Sequence, residues 1–142
     1  MDGVIVDFES ALAKIPSATL AQYEGEYDNI PGIFDLMEPM PGAIEAVTRL
    51  AQVYDTHILS TAPWDNPTAL PHKMAWIKRH FGDGEDSIFY KKVVFSHVKH
   101  LNRGDILIDD RTKNGAGEFE GQLIQFGTST FPDWESVIKH LL

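Results

Sequence analysis

Asp105-Ile106-Leu107-Ile108-Asp109-Asp110-Arg111 is a short, mostly apolar run that ends in two carboxylates. Its β-branched isoleucines favour a strand buried on both faces. Adjacent strand residues point to opposite faces, so Asp109 and Asp110 line one site only if the chain turns where the strand ends. Open α/β sheets hold their ligands at that rim. Two acids placed there repel each other. A hard cation relieves them, most economically Mg²⁺ held through oxygen and keeping several of its waters. An isolated Asp-Asp pair also suits a solvated acidic turn that caps the next helix, so other segments must decide.

Upstream, Val93 to Phe95 reads as a strand running into Ser96-His97-Val98-Lys99, and Lys99 stands ten residues before Asp109. Tyr54 to Leu59 reads as a strand ending in Ser60-Thr61-Ala62-Pro63, where hydroxyls meet a turn. Downstream, Gln122 to Phe126 gives the last strand, and Asp133 caps a terminal helix with Trp134, Val137, Ile138 and Leu141 facing inward. Helices are also predicted from Gly42 to about Gln52, opened by Pro41, and from about Thr68 to Phe81, stopped by Gly82. In the second of these, His72, Lys73, Lys78, Arg79 and His80 read as the wet face. Strands alternating with helices imply a mostly parallel sheet with right-handed crossovers.

The amino end is abrupt. Met1-Asp2-Gly3-Val4-Ile5-Val6-Asp7-Phe8 is either a strand or a tight extended turn around Gly3. A helical stripe from Glu9 to about Gln22 is interrupted at Pro16, and an irregular stretch follows to Met40. Residues 9–38 read as a small helical insert in an otherwise single domain spanning 1–142.

With 43% hydrophobic residues the chain has the means to build a core. A formal charge of −9 argues against a nucleic-acid-binding surface, which needs a basic face. There is no cysteine, which excludes disulfides and thiolate metal sites and allows a reducing cytoplasm, the expected setting. No apolar run approaches membrane-spanning length.

Functional groups thus follow successive strands: Asp2, Ser60 and Thr61, Lys99, then Asp109 and Asp110. In a parallel sheet those ends share an edge. The set suits phosphoryl chemistry, with a hydroxyl and a lysine for phosphate oxygens, Mg²⁺ bridging phosphate to carboxylate, and Asp2 as general acid and base. A nucleophile is missing. A non-catalytic binder of phosphate or nucleotide would use the same groups. A phosphoacceptor signalling domain would too, but its lysine should come last, and Lys99 precedes Asp109.

Asp2-Gly3-Val4, Ser60-Thr61, Lys99 and Asp109-Asp110 resemble, in order, the four motifs of the haloacid-dehalogenase-like phosphatases. More narrowly, Met1 to Phe8, Glu38-Pro39-Met40-Pro41-Gly42-Ala43, Ser60-Thr61-Ala62-Pro63 and Leu107 to Arg111 resemble the 5'(3')-deoxyribonucleotidases. The resemblance implies a Rossmann-like sheet flanked by helices with a short helical cap, and a Mg²⁺-dependent phosphomonoesterase acting on a small phosphorylated substrate such as a nucleotide. It implies that Asp2 is the acid/base and approaches the metal through its main-chain carbonyl. Thr61 and Lys99 bind phosphate, Asp110 ligates Mg²⁺ with Asp109 in support, and Phe8 stacks near the nucleobase. Ala62 stands where relatives carry a second hydroxyl. The attacking Asp would fall one place before Met1, at the end of a central strand. Both are absent from these residues, so the expectation is a start further upstream or a fragment, little activity as it stands, and compensation by a swapped strand or a homodimer.

Overall fold

The structure, a computed structural model, describes residues 1–142. It is a mixed α/β arrangement of short strand pairs flanked by helices. β1 (Val6–Asp7) pairs antiparallel with β2 (Glu38–Pro39), closing the insert at its root. Within the insert lie α1 (Glu9–Leu12) and α2 (Ser17–Gln22), separated at Pro16 as its ring requires, then two 3-10 turns.

The functional layer is parallel. β3 (Ile58–Ser60) pairs with β4 (Val93–Phe95), and β5 (Ile106–Asp109) pairs with β6 (Gln122–Gln125). β3 and β5 do not pair with each other, so the parallel strands form two separate pairs. Around them pack α3 (Ala43–Leu50), α4 (Ala69–Phe81) and α5 (Trp134–Leu141). The strand predicted from Tyr54 begins only at Ile58, and Tyr54 instead donates its hydroxyl to the Leu141 carbonyl at 2.8 Å.

The amino end is a turn rather than a long strand. The Met1 carbonyl accepts from the amides of Val4, Ile5 and Val6 at 2.9 to 3.2 Å, and Gly3 donates to Val6 at 2.8 Å. Met1, Val4, Ile5 and Val6 are all buried in the core with Val47, Ile124 and Trp134. The tie to the carboxyl end is direct: the Trp134 indole donates to the Val4 carbonyl at 2.8 Å across 130 residues. Asp133 caps α5 reciprocally with Ser136.

The insert is clamped to α4. The Trp76 indole donates to the Met37 carbonyl at 2.9 Å, the Asn66 amide donates to the carbonyls of Asp28 and Ile30, and Arg79 pairs with Asp35 at 2.6 Å.

Trp134→Phe keeps an aromatic ring in the core and leaves the Val4 carbonyl without its donor. We expect a loss of about 1–3 kcal/mol in urea unfolding; an unchanged midpoint would show that this hydrogen bond contributes nothing to holding the amino-terminal turn.

Candidate active site

α4 supplies the centre of the site. Ala69, Lys73, Trp76 and Ile77 form its buried stripe, and Lys73 is only 1% exposed. A buried ammonium survives only with acceptors around it. Lys73 Nζ donates to Asp2 Oδ2 at 2.6 Å, to the Thr61 carbonyl at 2.6 Å and to Ser60 Oγ at 3.2 Å. It also lies 4.7 Å from the centroid of the Phe34 ring. The wet-face reading of Lys73 is therefore corrected. The signal was present: the lysine occupies one position of an i, i+4, i+7, i+8 stripe otherwise made of Ala69, Trp76 and Ile77.

Asp2 and Gly3 sit between the ends of the two parallel pairs. Gly3 has φ +70°, and a Cβ there would collide with the Asp110 carboxylate, so glycine is required both by conformation and by close approach. Asp2 Oδ1 is buried with no hydrogen-bond partner.

Lys99 lies in a 3-10 turn after β4 and is held from below by the Asn114-Gly115 loop. Its amide donates to the Asn114 carbonyl at 2.7 Å, and a Cβ on Gly115 would strike its backbone. Lys99 Nζ donates to Asp109 Oδ2 at 2.5 Å, while Asp109 Oδ1 accepts from the Arg111 amide at 3.1 Å. The adjacent acids thereby separate. Burial pushes Asp109 up, but the Lys99 hydrogen bond and charge outweigh it and hold its carboxyl below the ordinary 3.8. Asp110 is raised by burial and by the charge of Asp109, with Arg111 offsetting only part.

The structure thus brings Asp2, Lys99, Asp109 and Asp110 around the Met1 turn, and Lys73 joins Asp2 to the end of β3. Thr61 lies in the same place, though its hydroxyl donates to the Ser96 carbonyl at 2.7 Å and must turn from it to donate to a ligand. Phe8 is at the edge of the site, packing edge-on against Phe34 with centroids 6.0 Å apart.

No three His, Asp or Glu side chains gather closely enough to form a metal cage. Mg²⁺ commonly takes only one or two carboxylates beside phosphate oxygens and waters. The Asp110 carboxylate packed on Gly3 is a hard oxygen donor of that kind, and the unpartnered buried oxygen of Asp2 marks a polar space beside that glycine, so the residues present fit such an ion.

Residues 16–138 match the family described as 5' nucleotidase, deoxy (pyrimidine), cytosolic type C. The chain belongs to the deoxyribonucleotidase family. A Vibrio phage KVP40 protein assigned as a 5'(3')-deoxyribonucleotidase is 52% identical over 99% of this chain and 81% of its own length. A Staphylococcus epidermidis protein with the same assignment is 33% identical over 87% of the chain and 68% of its own length. The human cytosolic-type 5'(3')-deoxyribonucleotidase is 27% identical, covering 97% and 76%. The similarity to haloacid-dehalogenase-like nucleotidases inferred from four short motifs therefore extends along nearly the whole chain. No helix in this family member is long and apolar enough to cross a membrane.

Because Asp109 is held below its unfolded value, it contributes stability that is present above about pH 4 and is lost as pH falls through its lowered folded value. In Lys99→Met the ammonium is gone and the Asp109 carboxyl rises. We expect acid unfolding to begin at higher pH and stability at pH 7 to fall by about 3 kcal/mol. Coincident acid transitions, followed by circular dichroism, would show that the pair carries no pH-linked stability.

Proposed function

We propose that the protein is a Mg²⁺-dependent phosphomonoesterase that removes the phosphate of deoxynucleoside or nucleoside monophosphates. The observation that carries this reading is the Asp2 carboxylate, with one oxygen bound by Lys73 and the other buried without a partner, one residue before the glycine that packs on Asp110. A carboxyl in that position protonates the oxygen of the leaving alcohol and later takes a proton from the attacking water. Lys73 fixes its orientation. Lys99 and the Thr61 hydroxyl take the phosphate oxygens, with Asp109 holding the lysine in place. Asp110 and the main-chain carbonyl of Asp2 would hold Mg²⁺, which when bound neutralises phosphate charge as a Lewis acid. Phe8, seated on Phe34, offers an aromatic face at the rim for the nucleobase.

By family resemblance the phosphorus is attacked by a carboxylate one place before Met1. The new bond joins that oxygen to phosphorus, the ester P–O bond breaks, and water then releases phosphate. The 142 residues do not carry that carboxylate. We expect them alone to hydrolyse nucleoside monophosphates poorly, and the same chain extended by an apolar strand ending in Asp to gain about 10³-fold or more. Equal phosphate release by the two would reject this nucleophile. Mg²⁺-dependent binding in calorimetry, without phosphate release by the extended chain, would favour the second reading, a non-catalytic nucleotide binder. That reading draws on the engagement of Lys99 and Thr61 with Asp109 and Ser96.

A further inference from the structure

The chain leaving β3 carries Thr61 and then crosses residues 61–68 to reach α4; within that stretch only Asn66 is buried, at 3% exposure. A buried amide is tolerated when its polar groups are paired. All of those of Asn66 are. Its Nδ2 donates to the Asp28 carbonyl at 2.8 Å and to the Ile30 carbonyl at 3.1 Å, which uses both hydrogens. Its Oδ1 accepts from the Thr68 amide at 3.1 Å and from the Thr68 hydroxyl at 2.7 Å, which uses both lone pairs. The Thr68 hydroxyl in turn accepts from the Gly32 amide at 2.9 Å.

Three hydrogen bonds therefore cross from the β3 loop to the insert, and each ends on main chain. No other hydrogen bond joins residues 23–32 to that loop or to α4. The backbone they hold leads straight to the aromatic side of the site. Gly32, at φ +85°, turns it into the 3-10 turn Ile33–Asp35, whose middle residue Phe34 is buried. Phe34 lies over the Lys73 ammonium on one side and against the Phe8 ring on the other.

Past Phe34 the insert is tied again, by the Trp76 indole to the Met37 carbonyl and by Arg79 to Asp35. The Arg79 pair is half exposed and contributes little. Phe34 is thus gripped on both flanks, and the grip before it depends on Asn66. A lid hinged here would break these shielded bonds at every opening, each without water at hand to replace it.

We propose that Asn66 is a positioning residue for substrate recognition. It touches no ligand; it fixes the span between the phosphate groups at Thr61 and the aromatic pair of Phe8 and Phe34, so that the insert is a standing wall of the site and not a lid. The inference rests on the hydrolase reading above and says how that site measures its substrate. A nucleoside monophosphate must bridge from the β3 loop to the insert, and its affinity follows the span. Inorganic phosphate reaches only the first of the two and is indifferent to Asn66.

The test is calorimetry of the 142-residue chain with Mg²⁺, comparing inorganic phosphate with thymidine 5'-monophosphate. Asn66→Asp keeps the size of the side chain and its acceptors for Thr68 but loses the bonds donated to Asp28 and Ile30. We expect nucleotide affinity to fall about tenfold or more while phosphate affinity stays within about twofold. Thr68→Val, which removes the relay to Gly32 and leaves Asn66 donating, is the milder variant should the first not fold; it should lose about threefold for the nucleotide alone. Equal losses for both ligands would show that Asn66 only stabilises the fold, and overturn the proposal, as would unaltered nucleotide binding. Hydrogen exchange of the wild-type chain tests the wall directly: the Gly32 amide should be equally protected with and without nucleotide, and protection gained on binding would reveal a lid. A wild-type chain that binds neither ligand would reject the hydrolase reading and this inference with it, whereas normal binding of both ligands by the variants rejects the inference alone.

Discussion

A buried lysine ammonium must find acceptors before the chain can close over it, because transferring an unpaired charge out of water is prohibitively unfavourable. Lys73 meets that demand with one carboxylate, one carbonyl and one hydroxyl, drawn from the amino-terminal turn and the end of β3. Helix α4, the strand end and Asp2 are consequently fixed relative to one another by a single group. Phe34 of the insert lies against the same ammonium, and Trp76, one turn further along α4, binds the Met37 carbonyl. The insert and the polar site are thus anchored on one helix face.

Lys99 solves the same problem with the opposite outcome for its neighbours. By satisfying Asp109 it leaves Asp110 next to a fixed negative charge, and the two adjacent acids acquire opposite tendencies to hold a proton. One carboxylate is committed to structure. The other is pressed against Gly3, short of compensating charge, and is the one with reason to seek a cation. Chain connectivity put the two acids together, but the lysine ten residues upstream differentiates them.

The elements with a clear period were legible in sequence. The terminal helix with its Asp133 cap, the break at Pro16 and the apolar run of β5 all stand where local pattern puts them. Tyr54 to His57 read as strand in sequence but precede β3, because the aromatic and β-branched residues Tyr54 and Thr56 do not reveal whether a ladder partner lies opposite. Lys73 was placed on the wrong face because charge usually marks the solvated side of a helix. Only its Asp2, Ser60 and Thr61 partners, distant along the chain, reverse that preference. Asp2, Lys99, Asp109 and Asp110 were found as a set because strand ends in a parallel sheet converge, a consequence of topology that survives errors in individual boundaries.

The same topology explains why Met1 and Val4 to Val6 are buried. Two parallel pairs that share no ladder need something to hold them in one layer, and the turn at Met1 does this at their carboxyl ends, through the Asp2 link to Lys73 and the packing of Gly3 on Asp110. Further down, β3 and β5 each keep one ladder and share none with each other. Consecutive apolar residues at Ile58-Leu59 and Ile106-Leu107-Ile108 are what a strand carries when it has layers on both faces. Those residues are organised for an interior position in a sheet. The polar site at the carboxyl ends of the two pairs therefore rests on the contacts that Lys73 and Asp110 make with the amino-terminal turn.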